Sequence, residues 1–220
     1  LSKNVMYFNK KDLDILDYDK LIKTLRKKKI KIFIHVAALS RPMNIHDKNI
    51  DLSIQTNIIG TANVVRACQK LKIKLIYFST NYIYPCKKGR YKETDSLYPI
   101  NNYAWSKLGG ECAVQMLKNS LILRLSITDY PFAYKKAIRN AYSSLIYNKD
   151  FAKVLPHILE QKGILNVGGK RQSIFNFAKK KNPKIKSIKI SKKSSFPFDS
   201  SLNVSRYDQI IKKKKLFLND

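Results

Sequence analysis

Short, nearly unbroken apolar runs alternate with longer stretches whose apolar positions recur every three to four residues. The runs lie at residues 31–36, 73–79, 121–127 and 163–167. Runs of this length, rich in Ile, Leu and Val, predict strands buried on both faces of a parallel sheet. Residues 50–71 and 103–118 carry the helical period instead. Strand and helix in alternation predict an α/β fold with a doubly wound parallel sheet. Asn4 to Phe8 read as a further short strand, and Asp17 or Asp19 as the cap of a helix running to about Lys28.

Later in the chain the pattern loosens. Residues 128–142 predict a loop with a helix. Asp150 is expected to cap a helix reaching Gln161. Residues 173–181 predict a short helix, 182–197 a Lys/Ser-rich mobile segment, and 209–216 a last helix. The division expected is 1–129 as one unit and 130–220 as a smaller α+β lobe, with 144–170 returning to the first unit.

Composition narrows the class. The chain has 220 residues, 44% hydrophobic, enough for one substantial core with a small lobe. No run of about 18 apolar residues occurs, so no helical membrane span is expected. No secretory segment is visible. Cys68, Cys86 and Cys112 lie far apart without metal-ligand spacing, which suits a reducing cytoplasm and no metal. The formal net charge is +29. A charge of that size points either to nucleic acid or to a Lys-rich surface. Lys is spread along the whole chain, and Lys, Ile, Asn and Tyr are all abundant, as an A+T-rich coding sequence produces; nucleic acid is therefore not the expected partner. A basic surface still attracts an anionic nucleotide or a diphosphate-linked substrate. The chain opens on Leu1, and none of its seven glycines forms Gly-x-Gly-x-x-Gly. The expectation is an N-terminal truncation that removes a first strand and its glycine loop.

The candidate chemistry lies in one stretch. Tyr103 and Lys107 are four apart, which on a helix places both on one face, one turn apart. An ammonium beside a phenol favours the phenolate and lowers the tyrosine pKa from about 10 toward the working range of a proton donor. Thr80 ends the apolar run 73–79 and offers a hydroxyl where the strand should stop. Taken alone, the spacing also fits a solvated Tyr–Lys pair.

The combination Phe78-Ser79-Thr80-Asn81-Tyr82 followed by Tyr103-Ala104-Trp105-Ser106-Lys107-Leu108-Gly109-Gly110-Glu111 resembles the extended short-chain dehydrogenase/reductase family. Within it, the dTDP-4-dehydrorhamnose reductases are most similar. Asn57-x-x-Gly60-Thr61, the stretch from His35 to Arg41, Leu123-Arg124 and Ser201 to Arg206 fall at matching places. The resemblance implies a Rossmann-type sheet and reduction of a 4-keto, nucleotide-linked deoxysugar by NADPH or NADH. It further implies Thr80, Tyr103 and Lys107 as the catalytic set. Ala37, Ala38, Asn57 and Ser79, with Tyr103 and Lys107, would then be cofactor-binding, and Ser40, Asn81 and Ile127 substrate-binding. A homodimer is compatible with it, and the glycine loop's absence implies impaired cofactor binding. Asn81 stands where the family usually has Asp, and Ile127 near its usual Trp, which leaves the sugar open. The alternatives are a nucleotide-sugar epimerase or dehydratase, or a non-catalytic Rossmann-like binding protein.

Overall fold

The four apolar runs pair side by side in one parallel sheet, in the computed structural model, which describes residues 5–191 and 196–214. In chain order the elements begin with α1 (Tyr18–Lys27), β1 (Ile32–His35), α2 (Ile45–Lys48), α3 (Ile50–Ile54), a π-helical turn (Gln55–Ile59) and α4 (Gly60–Leu71). Next come β2 (Lys74–Thr80), a 3-10 turn (Asn81–Ile83), α5 (Asn102–Gln115), β3 (Ser120–Leu125), β4 (Ile127–Thr128), β5 (Lys136–Ile138), β6 (Tyr142–Ser143) and β7 (Ile146–Tyr147). The rest are α6 (Asn148–Ile158), β8 (Gly163–Val167), β9 (Gln172–Ser173), α7 (Ile174–Lys179), β10 (Lys186–Ile188) and α8 (Ser205–Lys213).

The main sheet has the order β1-β2-β3-β8, all parallel. Side chains alternate faces along each strand, so β2 feeds two cores. Leu75 and Tyr77 join Leu21, Leu25, Val64, Cys68 and Val114 from α1, α4 and α5. Ile76 and Phe78 belong with Phe151, Val154, Ile158, Tyr207 and Ile211 from α6 and α8. Asp17 caps α1 by accepting from the Lys20 amide. The glycine of α4 is a packing device: a Cβ on Gly60 would sit 2.6 Å from Ile15 Cδ1.

Several expectations are corrected. Val5 to Phe8 form no strand and are exposed; no neighbouring strand takes up their amides. The run 121–127 breaks at Ser126, whose backbone turns to bond Val167 and Ile146, so Ile127 begins the separate pair β4–β7. No helix forms within 128–142; β5 lies there and pairs in parallel with β10, which gives regular structure to part of the segment expected to be mobile. Residues 192–195 of that segment, 215–216 of the last predicted helix and Asn4 lie outside the described residues. Asp150 sits inside the first turn of α6 rather than capping it.

Candidate active site

Thr80 is the last residue of β2, so its side chain stands at the carboxyl edge of the sheet. Asn101 caps α5 by accepting from the Ala104 amide, which starts the helix one residue before Tyr103. That start brings Tyr103 against the strand end, where the Thr80 hydroxyl is close enough to act on its phenol. Burial raises the Tyr103 pKa; the Thr80 hydroxyl and the charge of Arg41 pull it back, but the net direction is upward. The expected lowering by Lys107 is therefore overturned: desolvation of the phenolate outweighs the neighbouring dipoles and charges.

Lys107 is 3% exposed, and its ammonium lies over the Tyr77 ring, 4.2 Å from the centroid. Burial brings its pKa down to about 7, with Glu111 opposing the shift. The floor beneath it is a hydrogen-bonded chain. His35 Nε2 pairs with Thr61 Oγ1 at 3.0 Å, and the Tyr77 hydroxyl donates to the Lys107 carbonyl at 3.0 Å. His35 is held neutral, its pKa lowered to about 3 by burial first and by Lys107 second. It is the core histidine that its place inside a strand suggests.

Asn57 is a clamp. Its Oδ1 accepts from the Leu39 amide at 2.8 Å, while Nδ2 donates to the Leu39 carbonyl at 2.9 Å and to Ser106 Oγ at 2.8 Å. It sits in the π-helical turn, a deviation frequent at functional sites. Its hydrogen-bonding capacity goes into shaping the loop after β1 against the Tyr–Lys helix. That loop presents exposed Ala37, half-buried Ala38 and exposed Ser40. Small side chains there let a ligand approach the backbone at the edge where open α/β sheets bind ligands.

Other expected site residues are already engaged. The Ser79 hydroxyl donates to buried Glu111, leaving only its backbone for a ligand. Asn81 is buried and donates to the Ser200 carbonyl at 2.9 Å, which ties the strand end to the C-terminal segment. Ile127 is half-buried at the margin of the second core.

Three residues outside the expected site set lie beside Tyr103 and the start of its helix. Arg41 pairs with Asp129 at the surface, and its charge acts on Tyr103. His46, 1% exposed, packs its ring 5.2 Å from that of Tyr103, and its Nδ1 pairs with Ser53 Oγ at 2.7 Å. Asp47 accepts from Asn102 at 2.8 Å, docking α2 on the start of α5. Arg41 was visible in the loop pattern; nothing in the local sequence marks His46 or Asp47.

Among the described residues no group of three or more His, Cys, Asp or Glu could hold a metal ion, and no helix is long and apolar enough to cross a membrane. The three cysteines are free.

Known proteins are similar to this chain in sequence and fold. The probable low-salt glycan biosynthesis reductase of Haloferax volcanii is 30% identical over 116 residues, 52% of this chain and 38% of that protein. The chain spans between 29% and 38% of the first curated relatives it matches. Among solved structures, a hypothetical dTDP-4-dehydrorhamnose reductase from Sulfolobus tokodaii superposes with a TM-score of 0.81 at 28% identity, covering 94% of this chain and 84% of that one. The dTDP-4-dehydrorhamnose reductase of Bacillus anthracis, solved in complex with NADP, has the same fold, with a TM-score of 0.79 at 23% identity over 96% of this chain and 82% of that one. A family model described as the RmlD substrate binding domain matches residues 2–167, and the chain belongs to that family.

Proposed function

We propose that this chain carries the catalytic half-site of an NAD(P)H-dependent reductase acting on the 4-keto carbon of a nucleotide-linked deoxysugar. The observation that carries the reading is the Thr80 hydroxyl set beside the Tyr103 phenol at the carboxyl edge of the sheet, with the Lys107 ammonium buried one helical turn away. A bound reduced nicotinamide supplies the hydride. Tyr103, held protonated by its raised pKa, delivers its proton to the carbonyl oxygen as the alcohol forms. Thr80 hydrogen-bonds that oxygen and the phenol. Lys107 offers its ammonium to the nicotinamide ribose and to the phenolate that the proton transfer leaves behind.

Ala37 and Ala38 would line the cofactor, with Ser40 and Ile127 nearer the sugar, and 130–220, apart from 144–170, would form the substrate lobe. The relative solved with NADP supports the choice of a nicotinamide cofactor. Weak cofactor binding is part of the reading. Backbone N–H groups at a glycine-rich helix start normally take the pyrophosphate, and no such glycine pattern occurs in these 220 residues. The free thiols fit a reducing compartment. A dehydratase should carry an acidic pair after the threonine; Asn81-Tyr82 stand there instead.

The test follows loss of reduced-nicotinamide absorbance with a 4-keto nucleotide deoxysugar. Turnover should vanish in Tyr103→Phe while the circular dichroism spectrum is unchanged. A Tyr103→Phe protein as active as the parent would remove the proposed acid.

A further inference from the structure

Past its lysine, α5 continues to a carboxylate that the chemistry above does not use. Glu111 is 0% exposed and Arg124, beside it on β3, is 2% exposed. Arg124 donates to Glu111 Oε1 through Nε at 3.1 Å and Nη2 at 2.7 Å, and the Ser79 hydroxyl donates to Oε2. At its other end, Arg124 Nη1 donates to the Tyr84 hydroxyl at 2.7 Å and the Glu93 carbonyl at 3.0 Å. Tyr84 in turn donates to Asn166 Oδ1 at 3.1 Å. Ser79, Arg124 and Asn166 stand directly opposite one another on β2, β3 and β8. A polar row thus crosses the sheet one residue short of its carboxyl edge. Buried ion pairs seldom stabilise more than apolar packing of the same volume, so one this completely enclosed invites another explanation.

Its position supplies one. Glu111 is one helical turn from Lys107, and such neighbours share a face. The titratable and charged groups around Lys107 are His35 from β1, Tyr77 from β2, and Tyr103 and Glu111 from α5. Arg124 from β3 stands behind Glu111. Of these, Glu111 is the charged group that favours the ammonium, beside the face of the Tyr77 ring.

We propose that the Glu111–Arg124 pair is a positioning device for Lys107, in which the carboxylate sustains the buried ammonium and the guanidinium meters how much of the carboxylate's field reaches it. Both are positioning residues, since each acts through Lys107. The proposal rests on the reading of Lys107 as the cofactor-facing lysine of a reductase. Its consequence is two-sided. Without Glu111, only the Tyr77 ring face offsets the burial of the ammonium, and Lys107 gives up its proton at lower pH. Without Arg124, the field of Glu111 is uncompensated, and Lys107 keeps its proton to higher pH. A merely structural brace would destabilise the fold in both variants without moving the lysine in opposite directions.

The experiment titrates Lys107 directly. The purified protein is labelled with acetic anhydride across a pH series, and acetylation is read by mass spectrometry on the peptide bearing Lys107. In Glu111→Gln the midpoint should fall by about one pH unit; in Arg124→Met it should rise. Should either variant fail to fold, Glu111→Gln/Arg124→Met removes both charges, a change buried pairs often tolerate, and its midpoint should fall as well. A midpoint that stays in place, or moves the same way in both single variants, overturns the proposal. Turnover of the unmodified chain with a 4-keto nucleotide deoxysugar is measured in parallel, at NADPH concentrations raised until binding saturates. Its absence at saturation would refute the reductase reading and leave the labelling result standing.

Discussion

Asn57 and Ser106 are 49 positions apart in sequence and are joined by a single hydrogen bond of 2.8 Å inside the protein. That bond, with the two from Asn57 to Leu39, locks three elements together: the loop after β1, the π-helical turn and α5. Asn57→Ala removes all three bonds and strands the Leu39 amide and carbonyl. At about 1 kcal/mol per bond, the loss should be about 3 kcal/mol in urea unfolding. Because Ser106 lies between Tyr103 and Lys107, turnover should fall in the folded fraction too. A variant of unchanged stability would show the clamp to be idle.

Burial of Lys107 should be visible in stability. Its folded pKa, about 7, lies below the ordinary value of 10.5. Above 10.5 the amine is neutral in both states and carries no penalty. As pH falls toward 7 the unfolded chain takes up a proton that the folded one resists, so stability is lost, and below 7 the loss is complete. Lys107→Met should therefore be more stable than the parent at neutral pH, by about 2 kcal/mol or more. The gap should shrink as pH rises toward 10.5. Thermal unfolding of both proteins across that pH range checks it; a gap independent of pH would contradict a depressed lysine.

The polar contact of the Thr80 hydroxyl pulls the Tyr103 pKa down against burial. Thr80→Val deletes it while keeping the shape. Reduction needs the protonated phenol, so activity is lost as pH rises through the Tyr103 pKa. In Thr80→Val that alkaline limb should move to higher pH, and kcat should fall by about 10²-fold as one oxygen-stabilising donor disappears. A pH–rate profile separates the two effects.

Two glycines make opposite predictions about space and backbone. A Cβ at Gly110 would stand 2.5 Å from the Asn57 carbonyl oxygen and 2.8 Å from the Tyr77 hydroxyl. Backbone cannot move aside cheaply, so Gly110→Ala should cost about 3 kcal/mol. At Gly163 nothing lies within 4 Å, but φ is +75°, and Gly163→Ala should cost about 1 kcal/mol for its left-handed backbone. Chemical denaturation of the pair tests whether close approach or conformation matters more.

The strands of the main sheet were legible because a buried parallel strand is apolar on both faces and needs no partner to be recognised. Thr80 and the Tyr103–Lys107 pair were legible because a strand end and a helical repeat are local. The strand expected before Phe8 failed for the converse reason: four apolar residues form a strand only where another strand pairs with them. The β5–β10 pair, whose strands are nearly fifty residues apart in sequence, left no local signal in either segment.

From the order of residues alone follow an α/β sheet, the place of its carboxyl edge, and a phenol and an amine one helical turn apart, since all of these depend on periodicity and near neighbours. Folding in three dimensions sets the rest. Burial drives Tyr103 up and Lys107 down, Asn57 and Ser79 spend their side chains inside, and Glu111 meets Arg124 beneath the lysine. Desolvation and long-range pairing depend on what packs around a group, and that is known only when distant segments have come together.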